Sequence, residues 1–367
     1  MDINIILEPD VSPQAFAELS VEAEKLGVRA MWSSNYHFQY DAFLALAPAC
    51  QVTSKILLGA LAVSPWEMHP LKMANAVLTL NEMSNGRAMI GVSGGGGLLG
   101  AMGWRASDEG PYWPLHHPVK KVSEPDRRVR AVKECIEVLE VSRSGEFQMG
   151  YEGRVFGIRR PFGMMWAESP GPVVYACSCG PMMLRMGGRE ADGIQFSDCT
   201  VDMLPRLMKD VNAGLEARTK PLNDFRIGNF WSWHIKEDIA KSDYEARREL
   251  IWRAAIIGQV KEDVMPFLKD EDEWQFFVDH WENFRIAFRN RSGVIEGVPE
   301  ELLQRLISGM ASAGDMSSID QEIERYTKMA EGGLTELDLR LFDDPMDGLK
   351  MIGEHVIPAV RDIKPLH

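Results

Sequence analysis

The chain of 367 residues carries a net charge of −14, with 45% hydrophobic and 26% charged residues. These values are typical of a globular protein with a large core, and the negative charge disfavours binding to a nucleic-acid backbone. No apolar run in the sequence approaches the roughly 18 residues of a membrane span, and the acidic start is unlike a signal peptide. We therefore expect a cytoplasmic protein without a nucleic-acid or membrane partner.

Strand-like and helix-like segments alternate through the first third of the chain. Strands are predicted at residues 4–7, 28–33, 56–63 and 88–92. The first helix has clear limits, because Ser12-Pro13 is a typical N-cap with proline in the first turn and Gly27 is a typical stop. Four such units within about 90 residues match the spacing of a (β/α)8 barrel, which needs about 250 residues for eight units.

The alternation resumes after a long loop predicted at residues 94–118 and a hairpin predicted at 147–158. Further strands are predicted at 173–177, 193–197, 225–235 and 337–341, and further helices at 124–141, 181–189, 203–218 and 346–360. Residues 241–325 are acidic and helical, and we interpret them as an insertion that covers the barrel mouth. The predicted fold is α/β: one TIM-barrel domain over residues 1–367 with a helical insertion at 241–325.

Cysteine and histidine patterns predict no metal site. The five cysteines are an odd number in a long chain, which indicates free thiols in a reducing compartment. Cys177 and Cys179 are closer together than the cysteine pairs of zinc motifs, so small buried side chains are the simpler interpretation. His116 and His117 are adjacent and cannot easily point at one ion, and we interpret their loop as a lining for the substrate.

Polar and small residues follow two of the early strands, where a barrel places its active site. Asn35, Tyr36 and His37 follow the second strand and are the catalytic candidates. Ser93 and the glycines at 94–97 follow the fourth strand, and glycines would let a flat ring approach the backbone. Residues 95–100 also match G-x-G-x-x-G, but their place after three strand-helix units disfavours a Rossmann dinucleotide site.

The loop after the strand at 173–177 contains Cys179-Gly180-Pro181. Pro181 starts a helix, and the N-terminus of a helix carries partial positive charge and exposed N–H groups. Such an end binds a phosphate group. The alternative is that these residues form only the tight turn that every strand-to-helix connection needs.

Three motifs resemble the bacterial-luciferase-like superfamily of flavin oxidoreductases. L-N-E-M-S-N-G-R at 80–87 with I-G-V-S-G-G at 90–95 is similar to that family's L-D-x-x-S-x-G-R and G-x-G-x-G stretch. Ser-Pro at 64–65 and His-Pro at 69–70 are similar to its T-N-P-x-x-x-H-P segment. G-P-M-M-L at 180–184 with A-D-G at 191–193 resembles most the branch that contains methylenetetrahydromethanopterin reductase, which uses the deazaflavin F420.

The resemblance implies a flavin or deazaflavin in the barrel mouth. It implies a bulge with a non-prolyl cis peptide between Leu61 and Ala62 that supports the cofactor ring. It places the cofactor phosphate at 178–180 and the ring edge near 93–94. The residues predicted to contact the cofactor are Leu61, Ala62, Ser64, Ser93, Gly94, Gly95, Cys177, Ser178, Cys179, Gly180 and Pro181.

The loop after the second strand departs from the family pattern. The family commonly has an acid followed by a histidine there, and the aligned residues are Asn35 and Tyr36. Tyr36 can donate a proton, although a tyrosine with its ordinary pKa of about 10 is a poor base at neutral pH. A shift of one residue would give the role to His37 instead, and His37 as a plain loop residue is the third possibility.

These observations predict an F420-dependent oxidoreductase that transfers a hydride between the deazaflavin and an organic substrate. An FMN-dependent luciferase-like monooxygenase is the first alternative. A non-catalytic barrel that binds a flavin without turnover is the second, since the phosphate site would look the same. Members of the family are commonly homodimers, which we expect here as well.

Overall fold

The computed structural model describes residues 1–95, 105–107, 110–111, 128–221, 223–257 and 260–364. The fold is the predicted (β/α)8 barrel. The chain divides into two compact units. The larger is Ile6–Phe196 with Leu207–Gly228, and the smaller is Met1–Ile5, Ser197–Arg206 and Asn229–His367.

The first six strands of the barrel alternate with helices, as predicted. In chain order the elements are β1 Asp2–Leu7, α1 Pro13–Leu26, β2 Ala30–Ser34, α2 Ala42–Val52, β3 Leu57–Val63, α3 Pro70–Met83, β4 Ala88–Ser93, α4 Arg128–Arg143, β5 Val173–Cys177, α5 Pro181–Glu190, β6 Gly193–Ser197 and α6 Leu204–Glu216. The strands lie side by side in the order β6, β5, β4, β3, β2, β1, and the registered pairs are parallel. Parallel pairing places the C-terminal ends of the strands at one edge.

The caps of the first helices agree with the sequence. Ser12 accepts a hydrogen bond from the Ala15 N–H at 3.2 Å, and Gly27 ends α1 in the left-handed conformation with φ of 83°. Asp41 caps α2 by accepting from the N–H groups of residues 43 and 44. These contacts satisfy backbone groups that a helix end leaves without intrahelical partners.

The barrel interior of the larger unit is tightly filled around Trp32. Its ring is fully buried and contacts the Tyr175 ring edge-on, with 5.4 Å between the ring centroids. A Cβ atom at Gly59 would lie 2.2 Å from the Trp32 ring, so the neighbouring strand must carry glycine at this position. The continuous apolar pattern of β3 therefore reflects burial on both faces.

Two short antiparallel pairs lie outside the barrel. The predicted hairpin is confirmed by the pairing of Tyr151–Glu152 with Gly157–Ile158. The segment predicted as a loop at 94–118 contains the pair Arg105–Ser107 and Gly110–Pro111. Such short strands carry too few residues to show alternation, which is why the sequence did not indicate them.

The smaller unit holds the C-terminal part of the barrel and most of the helices between residues 239 and 360. Its elements are β7 Arg226–Ile235, α7 Ile239–Ile257, α8 Lys261–Val264, α9 Glu271–Asp279, α10 Trp281–Arg289, α11 Glu300–Met310, α12 Ile319–Glu331, β8 Glu336–Leu341, α13 Pro345–Met351 and α14 Ile357–Val360. Strand β8 lies between β1 and β7, and a short strand, Ser312–Gly314, runs parallel to the end of β7. The helical character predicted for 241–325 is confirmed. Its position over the barrel mouth stays a prediction.

Serine 312 is the polar centre of the core of the smaller unit. Its hydroxyl accepts from the Trp231 indole N–H at 2.8 Å and contacts the Tyr326 hydroxyl at 2.6 Å and the Glu322 carboxylate at 2.5 Å. All four side chains are buried. Of the aromatic residues in this unit, Trp231, Trp233, Phe277 and Phe284 are buried, whereas Phe276 and Trp281 are only half-buried.

The predicted closing helix at 346–360 is interrupted. A π-helical turn, Ile352–Val356, separates α13 from α14. Pro358 lies in the first turn after it and has no N–H to donate to a preceding carbonyl. The prediction of one continuous helix overlooked this proline.

Within the described ranges, no helix is both long and apolar enough to cross a membrane. The five cysteines all lie in the described residues and form no disulfide bond with one another.

Candidate functional site

The candidate site lies in the larger unit, at the edge where β2, β3, β4 and β5 end. Asn35 follows β2 directly. Its backbone N–H donates to the Leu61 carbonyl oxygen at 2.6 Å, and its Nδ2 donates to the Ala62 carbonyl oxygen at 3.3 Å. Asn35, a predicted catalytic residue, therefore joins the ends of β2 and β3.

Tyr36 and His37 lie side by side after Asn35. Their rings are stacked, with centroids 5.8 Å apart and an angle of 23° between the planes. Tyr36 is half-buried, whereas His37 is exposed to solvent. The shielded ring is better placed to act on a bound substrate, so the geometry favours Tyr36 over His37, and both roles stay predictions.

The end of β3 has the backbone expected from the resemblance. The peptide bond between Leu61 and Ala62 is cis, and the register between β3 and β4 shifts between residues 60 and 63. A Cβ atom at Gly91 would lie 2.9 Å from the Leu61 Cβ and 2.6 Å from the Cys177 Sγ. Glycine at this position therefore lets β3, β4 and β5 bring Leu61 and Cys177 close together.

Glu67, in the loop after β3, is a site residue that the sequence interpretation missed. Its Oε1 accepts a hydrogen bond from Asn35 Nδ2, the same nitrogen that donates to Ala62. Burial raises the pKa of Glu67 to about 7, although the hydrogen bonds from Asn35 and from the loop backbone act in the opposite direction. The sequence did contain a signal for this pairing. Asn35 stands where the family carries an acid, and Glu67 provides an acid in the loop after the next strand.

Ser64 organises the same loop from inside. It is fully buried, its hydroxyl accepts from the Trp66 N–H at 3.2 Å, and its carbonyl oxygen accepts from the N–H groups of Glu67 and Met68 at 3.1 Å. His69 ends the loop as the N-cap of α3, where its Nδ1 accepts from a backbone N–H. Burial lowers the pKa of His69, which favours the neutral ring that this acceptor role requires. The predicted cofactor contact of Ser64 stays a prediction.

A buried carboxylate on α4 supports the loop from the hairpin side. Glu134 accepts from three consecutive N–H groups at residues 154–156, at 2.8 to 3.0 Å. The turn held in this way carries Phe156, whose ring lies 5.7 Å from the Trp66 ring and 5.5 Å from the His69 ring. The hairpin therefore packs against the loop that contains Glu67.

The residues after β4 form a half-buried rim. The Ser93 hydroxyl accepts from the Gly95 N–H at 3.2 Å, and Gly95 has a φ of 71°, in the left-handed region that favours glycine. A Cβ atom at Gly94 would lie 3.1 Å from Cδ of Arg128. The aliphatic part of this arginine thus lies beside the rim, which the sequence did not indicate. The predicted glycines 96, 97 and 100 lie outside the described residues.

The loop after β5 leads into an open helix end. Gly180 is the N-cap of α5 and has no side chain with which to cap this terminus. The Gly180 N–H donates to the Ser178 hydroxyl at 3.0 Å, and a Cβ atom at Gly180 would meet only that hydroxyl, at 3.7 Å. Cys177 is buried, Cys179 is half-buried, and Pro181 is exposed. The positive end of α5 is therefore accessible at the same edge as the ends of the strands.

Among the described residues, no group of three or more His, Cys, Asp or Glu side chains could hold a metal ion. His116 and His117, weighed above as a metal or substrate loop, lie outside the described residues.

Comparison with known proteins gives both a family and close structural neighbours. A family model described as luciferase-like monooxygenase matches residues 4–336. The 5,10-methylenetetrahydromethanopterin reductase of Methanopyrus kandleri is 24% identical over 366 residues, which cover 99% of each chain. The F420-dependent glucose-6-phosphate dehydrogenase of Amycolatopsis mediterranei is 25% identical over 223 residues, which cover 58% of this chain and 62% of that protein.

Two solved structures share the fold over almost the whole chain. The coenzyme F420-dependent tetrahydromethanopterin reductase from Methanopyrus kandleri has a TM-score of 0.73 and 21% identity, and covers 97% of this chain and 98% of its own. An F420-dependent secondary alcohol dehydrogenase in complex with an F420-acetone adduct has a TM-score of 0.68 and 18% identity, covering 98% and 99%. At these identities the likeness establishes the shared fold.

Proposed function

The chain belongs to the luciferase-like monooxygenase family of flavin- and F420-dependent oxidoreductases, and we propose that it is an F420-dependent enzyme. In this proposal it transfers a hydride between the deazaflavin and an organic substrate. Relatives named as F420-dependent enzymes match the chain in sequence and in structure, which supports the choice of cofactor. The names of these relatives differ in substrate, so the proposal gives only its class.

The open N-terminus of α5 is the observation that carries the proposal. A helix end whose N-cap residue has no side chain can bind an anion. In the described part of the chain, a Cβ atom added at Gly180 would have the Ser178 hydroxyl as its close neighbour outside the adjacent residues, at 3.7 Å. This end of α5 therefore has room for a phosphate, with Ser178, Cys179 and Gly180 as the residues that would hold it.

The ends of β3 and β4 would hold the ring of the cofactor. We assign this role to the bulge at Leu61 and Ala62 and to the rim at Ser93, Gly94 and Gly95. When bound, the deazaflavin supplies the hydride chemistry, and the protein orients the substrate and excludes water. The buried Leu61 and Cys177 would present an apolar floor on which a planar ring can rest.

Tyr36 is assigned to proton transfer or to a hydrogen bond with the substrate. Its half-buried ring lies next to Asn35, which is fixed to the end of β3 by its hydrogen bonds. A fixed neighbour limits the positions that the tyrosine can take, and catalysis depends on such positioning. His37 takes the same role in the alternative assignment.

We also propose a cytoplasmic homodimer. Five cysteines without a disulfide bond support a reducing compartment. The homodimer is proposed from the family resemblance alone.

The experiment that tests the function is a single-turnover measurement. Protein loaded with oxidised F420 is mixed with a panel of alcohols, sugar phosphates and reduced pterins, and the loss of deazaflavin absorbance is followed. We expect hydride transfer from at least one donor. Tyr36→Phe should slow this transfer by at least tenfold, which corresponds to about 1.4 kcal/mol in the activation free energy. His37→Ala should slow it by less than threefold.

Two results would change the proposal. Reduction of FMN rather than F420, followed by consumption of oxygen, would favour the FMN-dependent monooxygenase. Bound cofactor that no donor or acceptor alters would favour the non-catalytic barrel.

A further inference from the structure

We propose that Glu67 is a positioning residue that holds Asn35, and through it the loop with Tyr36 and His37, and that gain or loss of the Glu67 proton moves this loop. The inference rests on the proposed function for the role of Tyr36. In this proposal, the protonation state of Glu67 in the loop after β3 changes the position of the residues that follow β2.

The hydrogen bonds of Asn35 provide the connection. The side-chain Nδ2 donates both to the Glu67 Oε1 and to the Ala62 carbonyl oxygen, and the backbone N–H donates to the Leu61 carbonyl oxygen. The Asn35 side-chain nitrogen thus donates one hydrogen bond to the Glu67 carboxyl group and one to the backbone of the bulge. A change in the strength of either bond alters the other, because both depend on the position of one planar amide.

The surroundings of Glu67 favour the protonated form. Its Oε2 is buried and has no hydrogen-bond partner within the residues that the structure describes. Asn35 and the Ser64 backbone provide neutral hydrogen bonds, and these do not offset the cost of burying a carboxylate. Burial accordingly raises the pKa of Glu67 to about 7, and the nearby Asp41 carboxylate raises it further.

Among the described residues, the neighbouring elements carry further titratable groups. Tyr36, His37 and Tyr40 follow β2, Asp41 caps α2 and His69 caps α3. Asp41 adds a negative charge that opposes ionisation of Glu67. Burial lowers the pKa of His69, so this ring supplies little positive charge at neutral pH.

The two protonation states of Glu67 bind Asn35 with different strength. Below a pH of about 7 the carboxyl is neutral, and Oε1 accepts an ordinary hydrogen bond. Above it the carboxylate accepts a charge-assisted bond, which is shorter and roughly twice as strong. The stronger bond draws the Asn35 amide toward Glu67 and away from the Ala62 carbonyl, and Tyr36 follows because it is the next residue.

The test is nuclear magnetic resonance on the full chain without cofactor, labelled with 13C at the glutamate carboxyls and the tyrosine rings. The signals of Glu67 and Tyr36 are assigned by their loss in Glu67→Gln and Tyr36→Phe. We expect the Glu67 signal to titrate with a midpoint of about 7, and the Tyr36 signal to shift with the same midpoint. The comparison of Glu67→Gln with Glu67 is made in a His37→Ala background, which removes the imidazole stacked on Tyr36. In Glu67→Gln, the Tyr36 signal should then not shift between about pH 6 and 8.

Two further variants separate coupling from folding. In Asn35→Ala, Glu67 should still titrate near neutral pH while the Tyr36 signal no longer follows it. Glu18→Gln makes the same change of charge on the exposed face of α1 and should leave both titrations as in the wild type. Thermal unfolding of each variant shows whether it is folded.

Two results would overturn the inference. One is a Glu67 midpoint near the ordinary value of about 4.3, and the other is a Tyr36 shift that persists unchanged in Glu67→Gln. Neither depends on cofactor binding. A chain that binds no F420 but shows the coupled titration would refute the proposed function and leave the inference standing.

Discussion

At position 180, the absence of a side chain leaves the first turn of α5 open. Gly180 has extended backbone angles, with φ of −81° and ψ of 138°, which any residue can adopt. Conformation therefore does not require glycine here. Access of an anion to the helix terminus is a reason for it that the structure supports.

This interpretation predicts the effect of Gly180→Asp. An aspartate at the N-cap would accept from the first N–H groups of α5 and place a negative charge where the phosphate is proposed to bind. We expect the Kd for F420 to rise at least tenfold, or about 1.4 kcal/mol, while thermal stability stays equal or rises slightly. Fluorescence titration and thermal unfolding measure the two quantities.

Gly180→Ala is the matched control. It adds a Cβ that would meet only the Ser178 hydroxyl, at 3.7 Å, and it adds no charge. Its Kd should stay within about threefold of the wild type, less than 0.7 kcal/mol. Equal affinity of Gly180→Asp and wild type would show that the cofactor phosphate binds elsewhere.

At the residue scale, the sequence predicted backbone features better than side-chain pairings. The start of α5 at Gly180 and Pro181 was predicted because proline favours the first turn of a helix. Glu67 was not, because its importance depends on contact with Asn35, 32 positions away. Burial and long-range contacts decide the pKa of a carboxyl group, and neither can be read from local sequence.

At the scale of elements, one arginine joins the ends of two helices. The guanidinium of Arg87 is buried and donates to the carbonyl oxygens of residues 50, 53, 56 and 84 and to the Thr53 hydroxyl, at 2.7 to 3.2 Å. These acceptors lie at the C-termini of α2 and α3 and in the loop before β3. Asn85 and Gly86, both with positive φ, turn the chain so that Arg87 can reach them. The S-x-G-R motif is therefore structural.

Replacing this arginine should destabilise the barrel. Arg87→Ala would leave several buried carbonyl groups without donors, and we expect the free energy of unfolding to fall by about 3 kcal/mol. Arg87→Lys, which keeps the charge but supplies fewer donors, should lose about half as much. Urea unfolding followed by circular dichroism gives both values.

Arg185→Ala serves as the control. Arg185 is exposed on α5 and pairs with the half-buried Asp210, and an ion pair at the protein surface contributes less than about 1 kcal/mol. A loss of less than 1 kcal/mol in Arg87→Ala would contradict the structural role given to the motif.

Elements with strong local signals were predicted well. The strands and helices from β1 to β4 followed from apolar runs and from caps such as Ser12 and Gly27. The strand pair at 105–107 and 110–111 and the π-helical turn at 352–356 did not. Short strands depend on their partner for stability, and a π-helical turn depends on packing and on a single proline, so neither leaves a periodic pattern.

At the scale of the whole molecule, repetition made the fold predictable. Each strand-helix unit repeats the same apolar pattern, and eight such units imply one architecture. The residues at 241–325 have no comparable repeat, so the sequence predicted their helices but gave no information on the identity of the substrate. The loops after β3, β4 and β5 carry the family motifs, and these motifs predicted the class of enzyme and cofactor. They did not predict the substrate.

The measurement that tests the central claim most directly is an equilibrium titration of the wild-type chain with F420 and, separately, with FMN under anaerobic conditions. We predict saturable binding of one F420 per chain, with a Kd at least tenfold lower than that for FMN, a difference of about 1.4 kcal/mol. Tight binding of FMN with no binding of F420 would contradict the proposed cofactor, and binding of neither would contradict the proposed function as a whole.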